Sequence, residues 1–175
     1  MALEDFAGKL LDGRLWFGKY PTDEEVTILE AEGFTHIINL CTHEEIIWIS
    51  YVTHCLVINY PFEDGWSQKP RQEILGGNFS TWTGFLPFIT TLIKLVDSVD
   101  TKVYIHCKGG HGRSPMFCAI ICGVIEGLDA TTVLELVHAA HQKRKVMKPK
   151  WRKLGAPQRT KQKKLVVEAL ASLST

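Results

Sequence analysis

The chain has 175 residues, 45% of them apolar and 22% charged, which suits one globular domain with a real core and excludes a disordered or fibrous chain. No apolar run approaches the roughly 20 residues of a membrane span, and Met1-Ala-Leu-Glu-Asp5 lacks the basic-then-apolar layout of a secretory signal. The net charge of +1 conceals a split: residues 1–135 hold 9 Lys/Arg against 18 Asp/Glu, a balance of −9, and residues 136–175 hold 11 against one, a balance of +10.

Residues 1–12 suggest a short amphipathic helix through Leu3, Phe6 and Leu10. Arg14-Leu-Trp-Phe17 reads as a strand closing at Gly18, and Thr22 as the N-cap of an acidic-headed helix that runs to Gly33. Thr35–Leu40 and Val52–Tyr60 are apolar runs of strand type, the second ended by Pro61. A loop bounded by Pro61 and Pro70 follows. Apolar residues then recur at helical spacing from Phe85 to Val99. Strand 103–106, a glycine-rich loop and helix 114–127 come next. Asp129 or Thr131 caps a helix that reaches about His141, and Pro157 opens a last helix ending near Leu173. Strands alternating with helices predict a single α/β domain over residues 1–175, a central, mostly parallel, twisted sheet with helices on both faces.

The five cysteines, at 41, 55, 107, 118 and 122, are odd in number, form no CxxC pair and do not combine with histidines at zinc spacing. The expectation is a reducing, cytoplasmic setting with no structural disulfide, no metal and no cofactor, and with Cys118 and Cys122 as buried thiols.

The most informative stretch is His106-Cys-Lys-Gly-Gly-His-Gly-Arg-Ser114. A strand leads in and a helix leads out, so the loop lies beyond the carboxyl end of a strand, where α/β sheets bind ligands. Glycines at 109, 110 and 112 let backbone N–H groups turn inward as an anion cradle. Cys107 is the nucleophile candidate, because the helix N-terminus and Arg113 both favour a thiolate. Arg113 offers a planar two-donor fork for two phosphate oxygens, which a lysine cannot match. Lys108, Gly109, Gly110, His111, Gly112 and Arg113 are the phosphate-binding candidates. His106 supports the loop, and Ser114 can donate to the sulfur.

His106-Cys107-(five residues)-Arg113-Ser114 resembles the signature of the cysteine-dependent protein tyrosine phosphatases, and size and order resemble their dual-specificity branch, which occurs in cells and in large DNA viruses. Leu15-Trp-Phe-Gly18, a helix and His36-Ile-Ile-Asn-Leu40 are similar to the family's opening. The resemblance covers about residues 13–150. It implies a phosphocysteine intermediate, no metal, and an aspartate general acid on a loop upstream of the cysteine. Asp64 in Tyr60-Pro-Phe-Glu-Asp-Gly65 fits, with Glu63 as adjacent competitor. It lies 43 residues before Cys107, more than is usual in the family, with the excess expected between Glu73 and Trp82. Asp97 and Asp100 fall at the wrong end of the following strand.

The resemblance thus implies hydrolysis of phosphotyrosine and of phosphoserine or phosphothreonine in protein substrates. Alternatives on the same scaffold are an RNA 5′-triphosphatase, a phosphoinositide phosphatase with Lys108 and His111 on the pocket rim, and a phospho-substrate-binding pseudophosphatase. Trp66, close to Asp64 in sequence, reads either as a flank for a substrate ring or as a packing residue. The basic segment 143–164 reads either as a solvated face or as a dock for an acidic partner, RNA or an anionic membrane, or a nuclear address. Residues 1–12 offer a helix for a dimer.

Overall fold

The computed structural model describes residues 1–45, 50–65 and 82–174. Its five-stranded sheet runs in the order β1-β2-β5-β3-β4, with β1 (Ala7–Leu10), β2 (Leu15–Gly18), β3 (His36–Asn39), β4 (Leu56–Asn59) and β5 (Val103–His106). Only β1 with β2 is antiparallel; the other three pairs are parallel. The mostly parallel sheet is as expected, and β5, which delivers Cys107, is its central strand.

Alternation along the strands splits the core into two layers. Leu15, Phe17, Ile38, Val103 and Ile105 point to one face, which is covered by α3 (Trp82–Asp97), α4 (Arg113–Glu126), α5 (Ala130–Gln142) and α7 (Thr160–Leu173). Trp16, Ile37 and Tyr104 point to the other, under α1 (Leu3–Phe6) and α2 (Asp23–Ala31). Helix α4 is buried from Arg113 to Gly123, packed between the sheet and α3, α5 and α7, so it is apolar all round rather than striped. Its C-terminus stops at Gly127, whose φ of 65° is the left-handed cap expected of glycine there. Thr22 and Glu25 close the start of α2 as a reciprocal capping box, and Asp129 rather than Thr131 caps α5.

Two expectations are corrected. Residues 1–12 are not one helix: α1 is a single turn, and Ala7–Leu10 pairs as an edge strand with β2. The pairing is stabilised because Gly8 lets β1 lie over the Phe17 ring; a Cβ there would meet it. With Leu3 and Phe6 at 4% and 2% exposure inside their own chain, this segment offers no free helix for a dimer. Pro157 does not open the last helix, which starts at Thr160, and an extra helix, α6 (Pro149–Leu154), begins on Pro149. The Val52–Tyr60 run holds a strand as expected, over Leu56–Asn59. Most of the segment between Glu73 and Trp82, and Trp66, lie outside the described residues.

Candidate active site

Strand β5 ends at His106, the chain turns through 107–112, and α4 starts at Arg113. The turn is possible because Gly110 has φ +77° and packs against the Gly18–Lys19 backbone; a Cβ on it would run into Gly18. Cys107 is 3% exposed. Its Sγ accepts from the Gly110 N–H at 3.3 Å and lies 3.4 Å from the Ser114 hydroxyl, which also donates to the Gly18 carbonyl at 3.1 Å. Among the described residues, the amides of Lys108, Gly109, His111, Gly112 and Arg113 have no protein acceptor. Five unpaired N–H groups at a helix N-terminus form an anion site.

Arg113, 4% exposed, is held from one side. Nη1 donates to Glu45 Oε1 at 2.6 Å and to the Phe62 carbonyl at 2.8 Å, and Nη2 donates to Glu45 Oε2 at 2.8 Å. A guanidinium has five N–H donors. Three are therefore engaged, while among the described residues Nε has no hydrogen-bond partner and Nη2 keeps its second N–H. Those two lie side by side on one edge, the fork expected for two oxygens. Glu45, in the helical turn His43–Glu45 beyond β3, is itself fixed by the Thr42 N–H and hydroxyl. Burial pushes its carboxyl up, but the Arg113 and Thr42 hydrogen bonds win and hold it down to about 2.

Asp64 reaches the same place from the loop after β4. Its Oδ1 is 3.8 Å from Arg113 Nε and accepts from Gln162 Nε2 at 3.0 Å; its Oδ2 accepts from Arg159 Nη2 and Nε at 2.9 and 3.2 Å. Gln162, 4% exposed, fills the space over Gly112, where a Cβ would touch it. Asp97 and Asp100 lie before β5, at the opposite end from Cys107.

Residues 15–159 match the family described as dual specificity phosphatase, catalytic domain. The chain belongs to that family. A protein provisionally named tyrosine phosphatase 197R, from Invertebrate iridescent virus 6, is 29% identical over 142 residues, 79% of this chain and 49% of its own. Its counterpart 067L from Invertebrate iridescent virus 3 is 32% identical over 133 residues, 73% of this chain and 50% of its own. The chain thus spans about half the length of these relatives. Among solved structures, Tk-PTP in its active form superposes with a TM-score of 0.64 at 20% identity, covering 94% of this chain and 96% of that one, which shows the fold.

Within this dual-specificity phosphatase domain, two of the basic rim residues separate. Lys108 is exposed, as expected. His111 is not on the rim: it is 8% exposed, stacks on Trp151 with ring centroids 4.8 Å apart, and accepts at Nδ1 from His141 Nε2 at 2.8 Å. The tautomer follows from the Gln142 amide, which donates to His141 Nδ1. Burial first, then the Arg144 charge, pulls His111 down to about 4, so it is neutral at neutral pH rather than titrating there. A side chain flanked by glycines looked free to point outward; α5 and α6 cover it instead. His106 sits beneath the loop. It is fully buried, donates from Nδ1 to the Cys107 carbonyl at 3.1 Å and accepts from Tyr51 Oη at 2.8 Å; burial pulls it down to about 4.

Cys41, Cys118 and Cys122 are buried thiols, and burial pushes Cys41 up to about 12 and Cys122 to about 11. Among the described residues no three His, Cys, Asp or Glu side chains cluster to hold a metal, and no helix is long and apolar enough to cross a membrane. Glu45, Tyr51, Gln162 and Arg159 are site residues that sequence reasoning missed. Only Glu45 left a signal, a carboxylate just past the carboxyl end of a buried strand.

Proposed function

We propose that the protein hydrolyses phosphomonoesters of tyrosine, serine and threonine in protein substrates through a phosphocysteine intermediate. The observation that carries this reading is the division of the Arg113 guanidinium: Glu45 and Phe62 take three N–H groups, and the free Nε–Nη2 edge has its Nε 3.8 Å from Asp64 Oδ1. The amides and that edge bind the three non-bridging oxygens and the charge that grows on them in the transition state. The Cys107 thiolate attacks phosphorus, forming S–P as the bond to the leaving oxygen breaks. Asp64 delivers its proton to that oxygen, a transfer worth about 10²- to 10⁴-fold in rate. Water then attacks the phosphocysteine and passes a proton to Asp64; phosphate leaves as Ser114 turns its one O–H from the Gly18 carbonyl to the departing sulfur, 3.4 Å away in the resting site.

Of the two basic residues the phosphoinositide alternative placed at the rim, only Lys108 is exposed, so a phosphoinositide stays in the panel on that residue. Exposed Lys143, Lys145, Lys148, Lys150, Lys153, Lys161, Lys163 and Lys164 keep a triphosphorylated RNA worth testing. The test is a panel of phosphotyrosine peptide, phosphothreonine peptide, phosphoinositide and triphosphorylated RNA, with wild type against Cys107→Ser and Asp64→Ala. Turnover of both peptides, lost in Cys107→Ser, is expected. Wild type that binds phosphopeptide and turns over nothing is a binding module, and the enzymatic reading fails.

A further inference from the structure

A loop that turns its N–H groups inward must turn its carbonyls outward, and buried carbonyls need donors. In the Cys107 loop each of them has one. Cys107 O accepts from His106 Nδ1, Lys108 O from the Tyr20 N–H, His111 O from the Gln158 N–H and Gly112 O from the Met116 N–H. The remaining two, on Gly109 and Gly110, are served by one side chain just past the end of α5. Arg144 Nη1 donates to Gly110 O at 3.1 Å and to Gly109 O at 3.4 Å, and Nη2 donates to Gly109 O at 3.4 Å.

Arg144 belongs to the segment that sequence reading assigned to the outer surface, yet it is 3% exposed. Among the described residues it makes no ion pair. A guanidinium buried on carbonyls alone is expensive, so its place calls for a reason. Burial works against its charge; the facing Tyr104, Cys107 and Glu25 favour the charge, and Arg152 opposes it. Arg152 fixes it from behind, donating to Arg144 O at 2.9 Å and to Gln142 O at 2.7 Å.

The geometry shows what it does. A carbonyl and the next N–H lie in one peptide plane and point opposite ways. Holding Gly109 O outward aims the Gly110 N–H at the Cys107 sulfur, which it meets at 3.3 Å. Holding Gly110 O outward turns the His111 N–H, which has no protein acceptor among the described residues, toward the site. We propose that Arg144 is a positioning residue of the phosphate loop, setting the Gly109–Gly110 and Gly110–His111 peptide planes so that their amides meet sulfur and phosphate. The proposal rests on the reading of this loop as the phosphate site and adds a residue that never touches substrate.

Arg144→Gln and Arg144→Met test it. Both are neutral and of similar length, but only glutamine retains an N–H donor. The readouts are the inhibition constant of tungstate, an inert tetrahedral oxyanion, the kcat/KM for p-nitrophenyl phosphate, and the melting temperature with and without tungstate. One misdirected hydrogen bond to a charged ligand is worth about tenfold. Tungstate affinity is therefore expected to fall about 10- to 50-fold in the methionine variant and clearly less in the glutamine variant, while both lower the ligand-free melting temperature alike. Tungstate binding within twofold of wild type in Arg144→Met, or equal loss in both variants, overturns the proposal. If Arg144→Met does not fold, Arg144→Lys decides: a single ammonium cannot span both carbonyls, so about fivefold weaker tungstate binding supports the role and unchanged binding overturns it. Failure of the underlying reading looks different. Wild type that binds tungstate without hydrolysing p-nitrophenyl phosphate removes the catalytic assignment alone, and wild type that binds no tungstate removes the phosphate site and this proposal with it.

Discussion

The phosphate half of the site and the acid half are built from different materials. Cys107, Arg113, Ser114 and Arg144 lie in the core, none more than 4% exposed, and each is held there by hydrogen bonds within the fold: Ser114 to Gly18 O, Arg113 to Glu45 and Phe62 O, and Arg144 to the Gly109 and Gly110 carbonyls. Asp64 has a side chain 35% exposed and is held by Arg159, itself 51% exposed, and by Gln162. Buried, oriented dipoles stabilise a transition state without reorganising when charge develops. A half-exposed carboxylate keeps access to solvent protons, which a group that must give up and regain a proton requires. The first half is set before substrate arrives, and the second is held weakly enough to respond.

The largest effect expected from that contrast comes at the acid. Asp64→Asn removes the proton donor but leaves the phosphate half intact. For an alkyl phosphate such as phosphothreonine peptide, kcat should fall about 10²- to 10⁴-fold, whereas an ester of a good leaving group should lose little, because that leaving oxygen needs no proton. Tungstate affinity should not change. Equal losses for the two leaving groups would place the defect in binding and remove Asp64 as the acid.

The phosphate half carries a pH liability of its own. His106 is pulled down to about 4 in the folded chain by burial, against about 6.5 unfolded. A depressed native pKa leaves stability intact above the unfolded value, and it is lost as pH falls from about 6.5 towards 4, because the unfolded state binds the proton first. The shift corresponds to about 3 kcal/mol. His141, also driven down by burial, adds to it in the same direction. Denaturant melts between pH 7 and 4.5 should show this decline, and it should shrink in His106→Gln if that variant folds. A flat profile would contradict the buried neutral imidazole.

Glu45 tests how far the fixed half depends on one partner. Glu45→Gln keeps the size but loses one of the two acceptors that hold the distal edge of Arg113, so the free edge can swing away from the phosphate. Misplacement of such a group costs up to about 10²-fold. The expected loss is about 10- to 100-fold in kcat/KM, with tungstate binding weakened in parallel. Wild-type tungstate affinity would show that Phe62 O and one remaining side-chain oxygen suffice to orient the guanidinium.

The same contrast marks what could be read from sequence. The phosphate half was legible because its chemistry is local: strand, glycines, cysteine, arginine and helix follow one another within residues 103–126, and each dictates the next by backbone geometry. The sheet was legible for the same reason wherever a run was apolar on both faces, as in β5. Ala7–Leu10 was not, since its strand pairing with β2 overrides a helix-like pattern. Glu45, Arg144, Arg159 and Gln162 were hidden because they meet the loop only through tertiary packing. A run of Lys and Arg looks like one solvated surface. Its lysines at 143, 145 and 148 do face solvent, but every arginine between residues 144 and 159 makes a hydrogen bond into the fold: Arg144 to the loop, Arg152 to the α5 terminus and Arg159 to Asp64.

Arg159 is where the smallest effect is expected, and it discriminates most finely between the halves. It grips Asp64 Oδ2 with two N–H groups, yet the pair is half exposed, and such pairs contribute only about 0–1 kcal/mol. Gln162 still holds Oδ1 when Arg159 is removed. Arg159→Ala should therefore change kcat by no more than about fivefold, only for substrates with poor leaving groups, and leave tungstate affinity alone. The change should fade as salt rises, because screening weakens an exposed pair in wild type as well. A loss as deep as that of Asp64→Asn would mean that Arg159 is a fixed part of the acid, and that the responsive half of the site is as rigidly built as the other.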